Sequence, residues 1–123
     1  MKEVRIALAV PRIGSYHFGE IVIDGCRYSN DVIIYPDRIE DQWWRQEGHS
    51  LVPSDVWELM QEPPEVLVIG QGSVGRMDVP AETRHKLQEA GIEVIVEPTA
   101  QACKTYNRLR GKCQVVAALH LTC

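Results

Sequence analysis

The chain has 123 residues, 45% of them apolar and 24% charged, the composition of one globular domain that can bury roughly two-thirds of its unfolded surface. Its formal net charge of -4 argues against general nucleic-acid binding, which needs clustered lysines and arginines, and no apolar run is long enough to cross a bilayer. Cys26, Cys103, Cys113 and Cys123 form no C-x-x-C pair, and the N-terminus, which carries Glu3, resembles neither a secretory signal nor a mitochondrial presequence. The expectation is reduced thiols in a cytoplasmic protein.

In chain order, residues 4–10 read as a strand or an irregular arm. Residues 19–24 alternate apolar and polar side chains, Gly25 supplies a turn, and residues 28–35 contain the apolar run from Val32 to Tyr35, which together predict an antiparallel hairpin. Pro36-Asp37 then turns the chain into a shorter third strand within residues 38–44. Pro53-Ser54 starts a helix with Val56, Leu59 and Met60 on one face, stopped by Pro63-Pro64. Residues 66–69 form a strand apolar on both faces. A helix follows over residues 80–90 with Gly91 after its end, then a strand over 92–96, a helix from about Thr99 to Arg110 closed by Gly111, and a last strand over 115–121. Strands joined through helices pair in parallel with right-handed crossovers, so the second half is a βαβαβ unit. The whole is read as a single α/β domain over residues 1–123.

Gly70, Gly72 and Gly75 satisfy the G-x-G-x-x-G spacing of a dinucleotide fingerprint, and Glu97 stands where a ribose-binding acid would stand. Pro80 opposes that reading. A helix starting inside the glycine motif would carry Pro80 in its interior, at a cost of about 3 kcal/mol. The helix must therefore start near Val79 or Pro80, and the second mononucleotide half is missing, so no NAD, NADP or FAD is expected and no cofactor is assigned. The glycines still follow a parallel strand at its carboxyl end, where backbone N–H groups face a crevice, and a small anion site is retained there as an expectation.

Trp43, Trp44, Arg45 and His49 combine indoles, a guanidinium and an imidazole that can stack on and pair with an anion or a partner carboxylate. The plainer reading puts one Trp in the core, pairs Arg45 with a nearby acid and uses His49 at a turn. Cys103 lies in the first turn or so of the third helix, either as a thiol activated by the helix dipole or as a small core residue. His120 and Cys123 are three apart in a strand, point to opposite faces and do not chelate together, so no metal is assigned. Lys104, Arg108, Arg110 and Lys112 read as a solvated helix face near the negative end of its dipole. No base–nucleophile or paired-carboxylate spacing is found, and no catalytic residue is named. The expected ligand or partner surface is Trp44, Arg45, His49, Gly70, Gly72, Thr99 and Asn107, gathered around one concave edge.

Several stretches together resemble a known family: Tyr16-His-Phe-Gly19, Ile23-Asp-Gly25, Trp44-Arg45 with Gly48-His49, Val68-Ile-Gly-Gln-Gly72, residues 102–107 and the closing residues 118–123. Their order and spacing are similar to the small domain of unknown function shared by the vertebrate adipogenesis-associated Mth938-domain protein, a mitochondrial complex I assembly factor and many bacterial and archaeal proteins. The resemblance implies a three-layer α/β domain with a mixed sheet and supplies no catalytic residues. It suggests a protein-binding or assembly-factor-like module, with a small enzyme or nucleotide-binding protein as the alternative, and leaves self-association open.

Overall fold

The structure is a computed structural model describing residues 10–123. It is a mixed α/β fold with eight strands among the described residues: β1 (Ile13–His17), β2 (Glu20–Ile23), β3 (Cys26–Tyr28), β4 (Val32–Ile34), β5 (Ile39–Glu40), β6 (Val66–Gln71), β7 (Glu93–Glu97) and β8 (Val115–His120). Three α-helices accompany them, α1 (Trp57–Gln61), α2 (Ala81–Glu89) and α3 (Thr99–Leu109), and a 3-10 turn over Pro53–Val56 leads into α1. The strand or arm expected over residues 4–10 lies, apart from Val10, outside the described residues.

The strands form a three-stranded antiparallel sheet, β1-β2-β3, and a five-stranded mixed sheet ordered β5-β4-β8-β6-β7. Strands β7, β6 and β8 are parallel, as the βαβαβ reading requires, and β4 joins β8 antiparallel. The crossover through α2 steps from β6 out to β7, and the crossover through α3 steps back past β6 to β8. Right-handed crossovers in opposite directions place their helices on opposite faces. Accordingly Leu87 of α2 packs in one core with Leu67, Ile69 and Val116, while Ala102, Cys103 and Tyr106 of α3 pack in a second with Val66, Val68 and Ala117. The small sheet closes the α3 side through Ile13, Ile21 and Ile23, which gives three layers.

The hairpin differs from expectation. Asp24 and Gly25 both have positive φ, 50° and 79°, forming a two-residue turn that pairs β2 with the short β3, Ile23 opposite Cys26. Such turns match the twist of antiparallel strands and fix the register at once. The chain then breaks at Ser29-Asn30, and Val32 to Ile34 leaves for the large sheet instead of completing the hairpin. The expected third strand is two residues long, and the first helix divides into the 3-10 turn and the short α1. Asp55 accounts for that turn by accepting hydrogen bonds from the backbone N–H groups of Gln46 and Val52, each 3.0 Å.

Candidate functional site

At the carboxyl end of the parallel strands, three charged or titratable side chains converge. Val32 pairs with Leu119 in antiparallel register, so the preceding Asp31 falls opposite His120 on the same face of the sheet. One carboxylate oxygen of Asp31 accepts the Leu121 N–H at 2.7 Å. The second lies 2.6 Å from Arg45 Nη1 and 2.8 Å from His120 Nδ1. Arg45 Nη2 is 3.0 Å from the same Nδ1, and the guanidinium lies 5.0 Å from the ring centroid of Trp43. The Arg45 and His120 side chains are only 6% and 8% exposed.

Nδ1 satisfies one neighbour at a time: protonated, it donates to Asp31, and bare, it accepts from Arg45. In both cases His120 Nε2 is buried with no hydrogen-bond partner among the described residues, as is Arg45 Nε. Burial alone would raise the Asp31 pKa, but hydrogen bonds from His120, the Leu121 N–H and Arg45 outweigh it and hold the carboxyl below its ordinary value. This is a neutralised, inward-facing charge cluster at the sheet end.

The glycine turn beside it is already filled by the chain. Gly72 N–H donates to Thr99 Oγ1 at 2.8 Å, and that hydroxyl donates to the His120 carbonyl at 2.6 Å. Ser73 N–H and Arg76 N–H donate to the carbonyls of Thr122 and Cys123, at 2.8 and 3.2 Å. The N–H groups that an anion would use therefore bind residues 122–123. Helix α2 begins only at Ala81, directly after Pro80, and Glu97 accepts a hydrogen bond from Thr105 at 2.6 Å. Gly70 serves packing, since a Cβ there would stand 2.8 Å from Thr99 Oγ1 and 2.9 Å from Leu119 Cδ2.

Of the residues expected at the site, Arg45, Gly72 and Thr99 are linked through His120. His49 is exposed, and its carbonyl accepts the Asp78 N–H at 2.7 Å, away from these contacts. Asn107 does not join them: its amide accepts from Ile13 N–H at 3.0 Å and donates to Ile13 O at 2.7 Å, fastening β1 to α3. Arg110, from the basic helix end, is similarly taken up by the carbonyls of Val10 and Pro11. Asp31 was not legible as a partner, because nothing in the sequence says that β4 and β8 are neighbours.

The adjacent indoles separate. Trp43 is buried, donating from Nε1 to the Asp55 carbonyl at 3.1 Å, whereas Trp44 is 85% exposed. Trp44 lines the smaller of two contiguous concavities, of about 290 and 740 Å³, and Trp57, itself 60% exposed, lines both, together with Tyr35 and Glu58. Together they make a groove between the β4–β5 edge and α1, ending at Pro63 and Pro64. Arg38 covers the Tyr35 ring at 3.9 Å and pairs with Asp37 at 3.0 Å.

Cys103 faces the α3-side core, and burial pushes its thiol up to about 12. A thiol with so little thiolate at neutral pH is a poor nucleophile. In native protein treated with iodoacetamide, Cys103 is expected to stay unlabelled until denaturant is added, while the part-buried Cys113 reacts; peptide mapping by mass spectrometry reads both. Rapid native alkylation of Cys103 would contradict the structural assignment.

Among the described residues, no helix is long and apolar enough to cross a membrane. A family profile described as "Protein of unknown function (DUF498/DUF598)" matches residues 13–120. The solved structure of the conserved hypothetical protein PH1505 from Pyrococcus horikoshii OT3 is similar at TM-score 0.78 and 31% identity, over 91% of this chain and 99% of that one. A Bordetella parapertussis protein is similar at TM-score 0.77 and 27% identity, over 92% and 97% of the two chains. A Bordetella pertussis protein described as a Mth938-like domain shares the fold at TM-score 0.67 and 23% identity, over 98% and 92%. With the match running from β1 to β8, the chain belongs to the DUF498/DUF598 family of unknown function and shares the fold of a Mth938-like domain.

Proposed function

We propose that this domain acts by binding a protein partner, as an assembly-factor-like module, through the groove lined by Trp44 and Trp57. One observation carries the reading: two large apolar side chains stand exposed along one concave surface, while the charged groups of Asp31, Arg45 and His120 are turned inward on one another. Exposed indoles are the residue type that anchors protein interfaces, and a water-facing tryptophan that fills no internal space gains most from being covered. The family resemblance to an assembly factor supports the same class.

The test replaces Trp57 with a photo-crosslinking amino acid in cells, and His85, exposed on α2, in a control. Discrete crosslinked proteins are expected from position 57 and not from position 85. Identical patterns from both positions would remove the groove from the binding surface. Turnover of a metabolite in an activity screen, abolished by His120→Asn, would decide for an enzyme instead.

A further inference from the structure

We infer that the groove takes an extended peptide segment carrying arginine or lysine between apolar residues, a proposal that rests on the binding reading above. The groove's two walls are acidic. Glu58 and Glu62 stand on the α1 side, Asp37 and Glu40 on the β4–β5 side, and Arg38 is the only basic side chain among the described lining residues. Arg38 is already engaged with Asp37 and the Tyr35 ring, so it does not neutralise the far wall.

Two further features agree. Glu58 on α1 and Glu62 just past its end are both exposed like charges on one wall, and a bound cation would relieve their mutual repulsion. The Tyr35 phenol on the floor is pushed up to about 12, by burial first and then by the nearby Glu40 and Glu58 carboxylates. Between the acids lie the apolar surfaces of Trp57, Pro36, Pro63 and Pro64. An exposed indole face also accepts a guanidinium by cation–π attraction. Nucleic acid is disfavoured by the same acids, because its phosphates would meet them without counter-charge. The chain's own net charge of -4 works against a second copy as occupant.

The test uses two labelled twelve-residue peptides, one repeating Arg-Pro-Leu and one repeating Glu-Pro-Leu, followed by fluorescence anisotropy against the full chain. The arginine peptide is expected to bind at least about tenfold more tightly, and to weaken several-fold as salt rises from about 50 to about 300 mM. Trp57→Ala is expected to cost about tenfold or more, and Glu58→Gln with Glu62→Gln several-fold, with a smaller salt dependence. Glu82→Gln with Glu89→Gln, on α2, is expected to change nothing. All four acids are exposed, so the folded state is not at risk. Equal binding of both peptides, no binding of either, or indifference to the Glu58 and Glu62 changes overturns the proposal. Sedimentation showing self-association that the Glu58 and Glu62 changes abolish would also overturn it, placing a second copy in the groove. If the peptides fail while crosslinks at position 57 still form, the binding surface stands and only its charge preference falls.

Discussion

Replacement of Arg45 by alanine is expected to lower the melting temperature by roughly 10–20 °C, because it leaves the Asp31 carboxylate buried against His120 without its cation. Breaking a buried pair from one side costs about 3–5 kcal/mol, and each kcal/mol moves a domain of this size by roughly 4 °C. Thermal denaturation by circular dichroism reads the effect, and a loss below about 3 °C would mean the cluster is not closed as described. Acid separates the charge contribution from packing. The folded-state pKa of Asp31 is lowered, so its contribution to stability is complete above the ordinary carboxyl pKa and is lost as pH falls through the lower folded value. Asp31→Asn starts from a lower melting temperature and is expected to lack that part of the acid limb. A parallel acid limb in the variant and the wild type would show that Asp31 is not held below its ordinary value.

The second large effect is expected at Gly72. Its φ of 97° lies in the left-handed region, and a Cβ there would stand 2.2 Å from the Thr122 carbonyl oxygen. Gly72→Ala therefore carries about 1–2 kcal/mol of backbone strain and about 1–3 kcal/mol more from forcing residues 122–123 off the turn. Gly91→Ala is the control, with a φ of 85° but nothing within 4 Å of the added carbon, so it carries the backbone part alone. Chemical denaturation of the two variants should differ by the contact contribution. Equal losses would show that residues 122–123 do not fill the turn in solution.

The parallel half of the fold was legible because its punctuation is strong. Pro80 fixes where α2 can start, Gly91 and Gly111 follow the ends of α2 and α3, and the uninterrupted apolar run of β6 fits a strand covered on both faces. The first half was less legible because its strands are two to five residues long, too short for periodicity to count, and because the Asp24-Gly25 turn selects the nearest partner over the more apolar one. The site divides along the same line. Arg45 and Trp44 stand out by residue type, while Asp31 and His120 acquire meaning only from the pairing of β4 with β8, which joins residues 89 positions apart. Asn107, which chemistry alone would put at a ligand, is consumed by the backbone of Ile13.

The strand order also has a consequence for how the chain acquires this shape. Strand β8, late in sequence, sits between β4 and β6, so until it leaves the ribosome the early hairpin β4–β5 and the pair β6–β7 have no common partner. Nascent chains generally build structure from the N-terminus onward, and sheets that depend on distant pairings form slowly. Here the large sheet must wait for nearly the whole domain to be synthesised, with the apolar edges of β4 and β6 uncovered in the meantime. Arrival of β8 then brings His120 to Asp31 and lays residues 122–123 into the glycine turn. Closure of the sheet and completion of the polar cluster thus become one late, cooperative event.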